Sequence, residues 1–131
     1  MDQLSSPHRH ALIVEDEILI ALGLQDAMSE MGFDQCDLAS NDQRARSFAM
    51  RDQPDVALVD VCLEGGREGI EAARWLREVC QVPIVFVTGY NDPETIDRIH
   101  QQVPGAPVIS KPNYLSGLAR AVDDAITHRT G

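Results

Sequence analysis

A chain of 131 residues, 44% hydrophobic and 24% charged, has the composition of one folded domain, with no apolar run near the ~18 residues a membrane helix needs. Twenty-one acids against eleven bases leave a formal net charge of −10, a surface that repels nucleic-acid phosphates and suits a cation or a basic partner. Cys36, Cys62 and Cys80 are odd in number and lack CxxC spacing, which argues against a disulfide framework or a zinc site and fits a reducing cytoplasm.

Residues 1–9 read as a loose tail with no signal-peptide core. Ala11–Val14 is the first predicted strand. The acids Glu15-Asp16-Glu17 then open a helix that ends at Gly32. It carries two apolar stripes, Ile18-Ala21-Leu22-Met28 and Ile20-Leu24-Ala27-Met31, one of which should face the sheet. A weaker strand covers Cys36–Ala39, and a helix runs from about Asn41 to Asp52, stopping before Pro54. Val56–Val59 is the third strand, followed by a helix from about Gly69 to Val79 that ends before Pro83. Ile84–Val87 is the fourth strand. Asp92-Pro93 is an N-cap followed by proline at the first helical position, and the helix it opens carries Ile96, Ile99 and Val103 before Pro104-Gly105. Val108–Ile109 is the fifth strand. The last helix begins near Asn113, with Leu115, Leu118, Val122 and Ile126 on one stripe. Apolar runs with little alternation, joined by helices, give an α/β domain: a five-stranded parallel sheet, doubly wound, (βα)5.

Polar residues gather where the strands end. Glu15 and Asp16 follow the first, Asp60 the third, Thr88 the fourth and Lys111 the fifth. In open α/β sheets the crevice beyond the carboxyl ends of the strands is where sites form. Three carboxylates brought together there repel one another unless a cation sits among them, and hard oxygen ligands suit Mg²⁺. A lysine ammonium and a threonine hydroxyl beside the metal would hold an anion, most simply a phosphoryl group, and a carboxylate next to it could be the covalent acceptor.

Val14-Glu15-Asp16-Glu17, Leu58-Val59-Asp60-Val61, Val87-Thr88-Gly89 and Ser110-Lys111-Pro112 together resemble the receiver domain of bacterial two-component response regulators, over about residues 10–128. The resemblance implies a flavodoxin-like, CheY-like fold and a stand-alone receiver without an output domain. It implies that Asp60 accepts a phosphoryl group from a sensor histidine kinase or a phosphotransfer protein, in a phosphorelay that switches protein–protein contacts with an unknown downstream protein. Mg²⁺ would be held by Asp16, Glu15, Asp60 and the backbone carbonyl of Cys62, and Thr88 and Lys111 would contact the phosphoryl oxygens. Such a protein is a phosphoacceptor with slow self-dephosphorylation rather than a turnover enzyme. It would be cytoplasmic and would bind neither nucleic acid nor membrane.

Receivers usually carry an aromatic three residues before the lysine; this sequence has Val108. Phe86-Val87-Thr88-Gly89-Tyr90 with Pro107-Val108-Ile109-Ser110-Lys111-Pro112 is similar to a subgroup with a Phe-Ala-Thr-Gly motif, often served by HWE-type kinases, although Val87 replaces its alanine and Asn113 an aromatic. Tyr90 is the candidate replacement for the missing switch aromatic. The second apolar stripe of the first helix is either core or a dock for a kinase helix. Cys62 reads as a packing residue, and His8, His10, His100 and His128 as solvated. The alternative reading is a degenerate receiver, acting as a phosphorylation-independent protein-binding module or a phosphate sink. An aspartyl-phosphate hydrolase would want Asp-x-Asp after the first strand, and a flavodoxin-type module would want a Ser/Thr/Gly-rich loop where Glu15-Asp16-Glu17 stands.

Overall fold

Each apolar run forms a strand: β1 (His10–Val14), β2 (Gln35–Ala39), β3 (Val56–Val59), β4 (Ile84–Thr88) and β5 (Val108–Ser110). The structure is a computed structural model that describes residues 9–63, 68–89, 92–111 and 115–128. The strands pair in parallel in the order β2-β1-β3-β4-β5. The doubly wound α/β fold expected from the sequence is the one observed. β1, β3 and β4 are buried along their whole length, which is why they read as unbroken apolar runs. β2 and β5 lie at the edges, and their partly exposed residues explain their weaker signals.

Five helices, α1 (Ile18–Glu30), α2 (Asp42–Arg51), α3 (Glu68–Cys80), α4 (Pro93–Gln102) and α5 (Leu118–His128), cover the sheet. Successive residues of a strand point to opposite faces, so the central strands feed two cores. Leu12, Val14, Val59 and Phe86 pack with residues of α2, α3 and α4. Ile13, Leu58, Val85 and Val87 pack with residues of α1 and α5. Two helix starts are capped by side chains: Asn41 accepts from the Arg44 N–H at 2.8 Å, and Asp92 from the Thr95 N–H at 3.1 Å, ahead of Pro93 at the first helical position.

Three expectations change. The last helix begins at Leu118 rather than near Asn113, because Gly117 sits at φ +93°, outside helical space; Leu115 is exposed in the preceding turn instead of lying on the stripe. The buried face of α1 is Ala21, Leu24 and Met28, drawn from both proposed stripes, since their three- and four-residue spacing follows the helical period better than either stripe. Ile18, Leu19 and Leu22 are left exposed. His10 is buried rather than solvated: its Nε2 lies 2.8 Å from Asp37 Oδ2, its backbone N–H donates to Asp55 Oδ2 at 2.8 Å, and the Asp55 N–H returns to the His10 carbonyl at 2.8 Å. His100 is exposed. Arg9 lays its guanidinium 4.4 Å from the Phe33 ring centroid. Cys36, Cys62 and Cys80 are free thiols. Among the described residues no helix is long and apolar enough to cross a membrane.

Immediately after α3, Gln81 adopts φ +58°, a left-handed conformation that costs an L side chain energy and glycine little. Gln81→Gly is expected to raise stability by about 0.5–1 kcal/mol in urea denaturation. A loss of stability would show that the Gln81 side chain contributes more than its backbone strain costs.

Candidate functional site

The parallel sheet sets the site. The pairing of Val14 with Val59, and of Thr88 with Ser110, brings the carboxyl ends of β1, β3, β4 and β5 into line. The residues just beyond those ends then share one crevice. The Asp60 N–H donates to the Val14 carbonyl at 2.9 Å, which ties the acid after β3 to the end of β1. The Lys111 N–H donates to the Thr88 carbonyl at 2.9 Å, which ties the end of β4 to the lysine after β5.

Carboxylate oxygens of Glu15, Asp16 and Asp60 lie within 4.8 Å of one another. Glu15 and Asp60 are buried, at 4% and 5% exposure, and Asp16 faces solvent. The Lys111 ammonium stands 3.2 Å from both Asp60 Oδ2 and Glu15 Oε1, and 3.5 Å from Glu17 Oε1. The other oxygen of Asp60, Oδ1, accepts from the Cys62 N–H at 3.2 Å. Both oxygens of Asp60 are thus held, and its carboxylate plane is fixed. Glu15 Oε2 accepts from the Glu17 N–H at 3.2 Å.

These contacts unbalance the charges. Burial, and then repulsion from Asp60, push the Glu15 carboxyl up from 4.5 to about 7, against the pull of Lys111 and the Glu17 N–H. For Lys111, burial alone would lower the pKa, but attraction from Asp60 and Glu15 and hydrogen bonds to both outweigh it and raise it. One lysine therefore faces more carboxylate than it can neutralise. Three convergent carboxylates with one side open to water are a donor set that fits a hard divalent cation such as Mg²⁺.

The structure brings Glu15, Asp16, Asp60 and Lys111 together, with Thr88 fully buried beside them and linked through its carbonyl. Cys62 is half-buried next to Asp60. Val108 is partly buried and packs against the α2–α4 core. Tyr90, the candidate switch aromatic, lies outside the described residues, as do Pro112 and Asn113.

Two participants went unread in the sequence. Glu17 is the N-cap residue of α1 but makes no side-chain cap; its carboxylate turns to Lys111 instead. Gly69, in the first turn of α3, presses against the backbone just beyond β3. A Cβ there would sit 1.8 Å from the Asp60 carbonyl oxygen and 2.7 Å from that of Val61, and the Gly69 N–H donates to Val61 at 3.0 Å. The sequence signal was a glycine near a helix start, where glycine has little helix propensity to offer.

Comparison with known proteins shows the family. The response regulator receiver domain family matches residues 11–123. The transcriptional regulatory protein PdtaR of Mycobacterium tuberculosis is 30% identical over 119 residues, 91% of this chain and 57% of PdtaR. The phyllosphere-induced regulator PhyR of Methylorubrum extorquens is 29% identical over 116 residues, 88% of this chain and 42% of PhyR. The chain thus spans about half the length of these relatives. Among solved structures, the signal receiver domain of a modulated diguanylate cyclase from Desulfovibrio desulfuricans superposes with a TM-score of 0.83 at 33% identity, covering 95% of this chain and 98% of that one. A response regulator receiver protein from Sinorhizobium medicae shares the fold, with a TM-score of 0.79 at 22% identity over 93% of this chain and 97% of that one. With the family matched across most of its length, the chain belongs to the response regulator receiver domains of two-component signalling.

Proposed function

We propose that this receiver is a Mg²⁺-dependent phosphoryl acceptor with Asp60 as the nucleophile. The observation that carries the reading is the position of Lys111, 3.2 Å from both Asp60 and Glu15 in a crevice where three carboxylates converge. The donor is a phosphohistidine of a sensor kinase or a phosphotransfer protein, HWE-type kinases among the first to assay. An Asp60 carboxylate oxygen attacks phosphorus, the new O–P bond forms, and the P–N bond to the donor imidazole breaks. The electron pair stays on the imidazole nitrogen, which then takes a proton. The product on Asp60 is an acyl phosphate; water slowly attacks its phosphorus, the bond to the Asp60 oxygen breaks, and inorganic phosphate and the carboxylate are released, so the chain is a timed acceptor and not a turnover enzyme.

The residues divide the work. Cys62 N–H and Lys111 hold the Asp60 carboxylate in one orientation, which lowers the entropic cost of attack. Lys111 stays beside the transferred oxygens, and Thr88 offers its hydroxyl to them. Glu15, Asp16 and Asp60, with the Cys62 carbonyl, would hold Mg²⁺, which when bound would offset the charge on the phosphoryl oxygens. The exposed Ile18, Leu19 and Leu22 in the first turns of α1 stand next to this crevice and offer an apolar dock for the donor's helix. With valine at position 108, the signal leaves through the Thr88–Lys111 backbone link beside β5 and alters contacts with a downstream protein.

Incubation with Mg²⁺ and acetyl phosphate, read by intact mass, tests this. The wild type is expected to gain one phosphoryl group, and Asp60→Asn none. Lys111→Ala is expected to remain folded and to label on the order of 100-fold more slowly. Labelling of Asp60→Asn, or undiminished labelling of the wild type in excess EDTA, rules the assignment out.

A further inference from the structure

The surface over α2, α3 and α4 gathers arginines around an indole ring. α1 contains no basic residue. Over α2–α4, two grooves meet at Trp75. One, of about 430 Å³, runs along α3 and α4 and is lined by Arg46, Arg74 and Arg98. The other, of about 500 Å³, lies along α2 and adds Arg51. Across both, four arginines line the grooves against two acids, Glu71 and Glu78, with Asp42 pairing Arg46 from the side, in a chain where acids outnumber bases 21 to 11.

Two of these arginines are held in place by neighbours, and a third stands open to a partner. Arg46 lies 4.9 Å from the Trp75 ring centroid, and its edge is gripped by Asp42 at 2.6 and 3.0 Å. Arg74 spends Nε on Glu78 at 3.2 Å and one Nη on Gln102 at 2.9 Å. Arg98 is exposed and makes no hydrogen bond or ion pair with the described residues. Apolar surface is present too: Met50 is 68% exposed and Val79 57%. Tryptophan, arginine and methionine are the side chains most enriched at the centres of protein interfaces, and ordered guanidinium groups lose little entropy on meeting a carboxylate.

We propose that this face docks an acidic segment of a partner protein, with carboxylates on Arg74 and Arg98 and a bulky apolar side chain over Trp75 and Val79. Charge complementarity selects that occupant. A nucleic acid would offer the same anionic charge, but the net −10 of the chain opposes a long polyanion. The surface requires no phosphoryl group and sits on different helices from Ile18, Leu19 and Leu22. It is therefore a second contact, separate from that with a phosphoryl donor.

Trp75 is the chain's one tryptophan, so its emission reports occupancy of the groove. Random peptides displayed on phage are selected against the full chain, and the enriched sequences are synthesised and titrated. The expected peptides are acidic with at least one bulky apolar residue, and they shift Trp75 emission saturably. Their affinity is expected to fall about tenfold or more in Arg98→Glu and in Arg74→Glu. Arg98 is exposed, so its reversal leaves the fold intact, which circular dichroism checks. Enriched peptides that are basic, or that bind both variants as tightly as the wild type, overturn the proposal. So does a single-stranded RNA oligomer that binds as tightly as the peptides. Self-association of the wild type that Arg98→Glu abolishes assigns the face to a second copy of the chain and equally overturns it.

Discussion

Gly69→Ala is expected to destabilise the protein by about 2–4 kcal/mol, and to slow phosphorylation on the order of 100-fold in whatever remains folded. The added methyl carbon would meet the Asp60 carbonyl oxygen at 1.8 Å and the Val61 carbonyl oxygen at 2.7 Å. Both obstacles are backbone, so no rotamer change relieves the clash. Either the first turn of α3 lifts away, losing the Gly69–Val61 hydrogen bond, or the chain at Asp60 shifts and takes the carboxylate with it. Gly89→Ala is the control, because a Cβ there meets nothing within 4 Å. Urea denaturation and acetyl phosphate labelling of the two variants are compared. A Gly69→Ala protein as stable as the wild type would mean that α3 approaches β3 less closely than the structure places it.

Glu15→Gln should act in the opposite direction. Burial and Asp60 raise the Glu15 pKa from 4.5 to about 7, so the folded chain keeps a proton that the unfolded chain releases in that range. The native state then binds more protons than the unfolded state, and stability falls as pH rises from 4.5 to about 7, levelling off above. The full cost of ionising Glu15 in the metal-free fold is on the order of 2–3 kcal/mol. Glutamine carries no such cost. At pH 8 in EDTA the variant is expected to be about 2 kcal/mol more stable than the wild type, and at pH 5 nearly equal to it. Saturating Mg²⁺ is expected to reverse the order at pH 8, because an ion that binds only the folded state stabilises the chain with the fuller set of ligands more. Urea midpoints at the two pH values, with EDTA and with Mg²⁺, give all four comparisons. A wild type that loses no stability between pH 5 and 8 without metal would remove the basis for this charge imbalance.

Much of this was legible in the sequence, for a physical reason. Strands buried on both faces are almost wholly apolar, so β1, β3 and β4 stand out, and polar residues where they end mark the rim of the sheet. That is why Glu15, Asp16, Asp60, Thr88 and Lys111 could be read as one cluster before any contact was known. Asn41 and Asp92 were legible as helix starts because capping is local. What escaped depends on partners distant in sequence. His10 is buried only because Asp37 and Asp55 arrive from β2 and the approach to β3. The close approach of Gly69 depends on how α3 descends on β3, and the turn of Glu17 depends on Lys111 arriving from β5. The start of α5 was misread because Leu115 fits the apolar period, while the conformation of Gly117 decides against it.

The sheet order leaves β2 and β5 with open flanks, and open flanks invite foreign strands. The two are defended differently. β5 is three residues long and gives way to Lys111, too short a template for a stable intruder. β2 is five residues long, but its middle residue is Asp37, whose carboxylate is bound to the buried His10 ring. A strand zipping along β2 would strip water from that charged residue, and a slip of register would pull Asp37 away from its imidazole partner. The pair that anchors the start of β1 is thus also a guard against amyloid-like stacking. Exchange of Asp37 for an apolar residue would leave a β-prone Gln-Cys-x-Leu-Ala edge with nothing to discourage a neighbour.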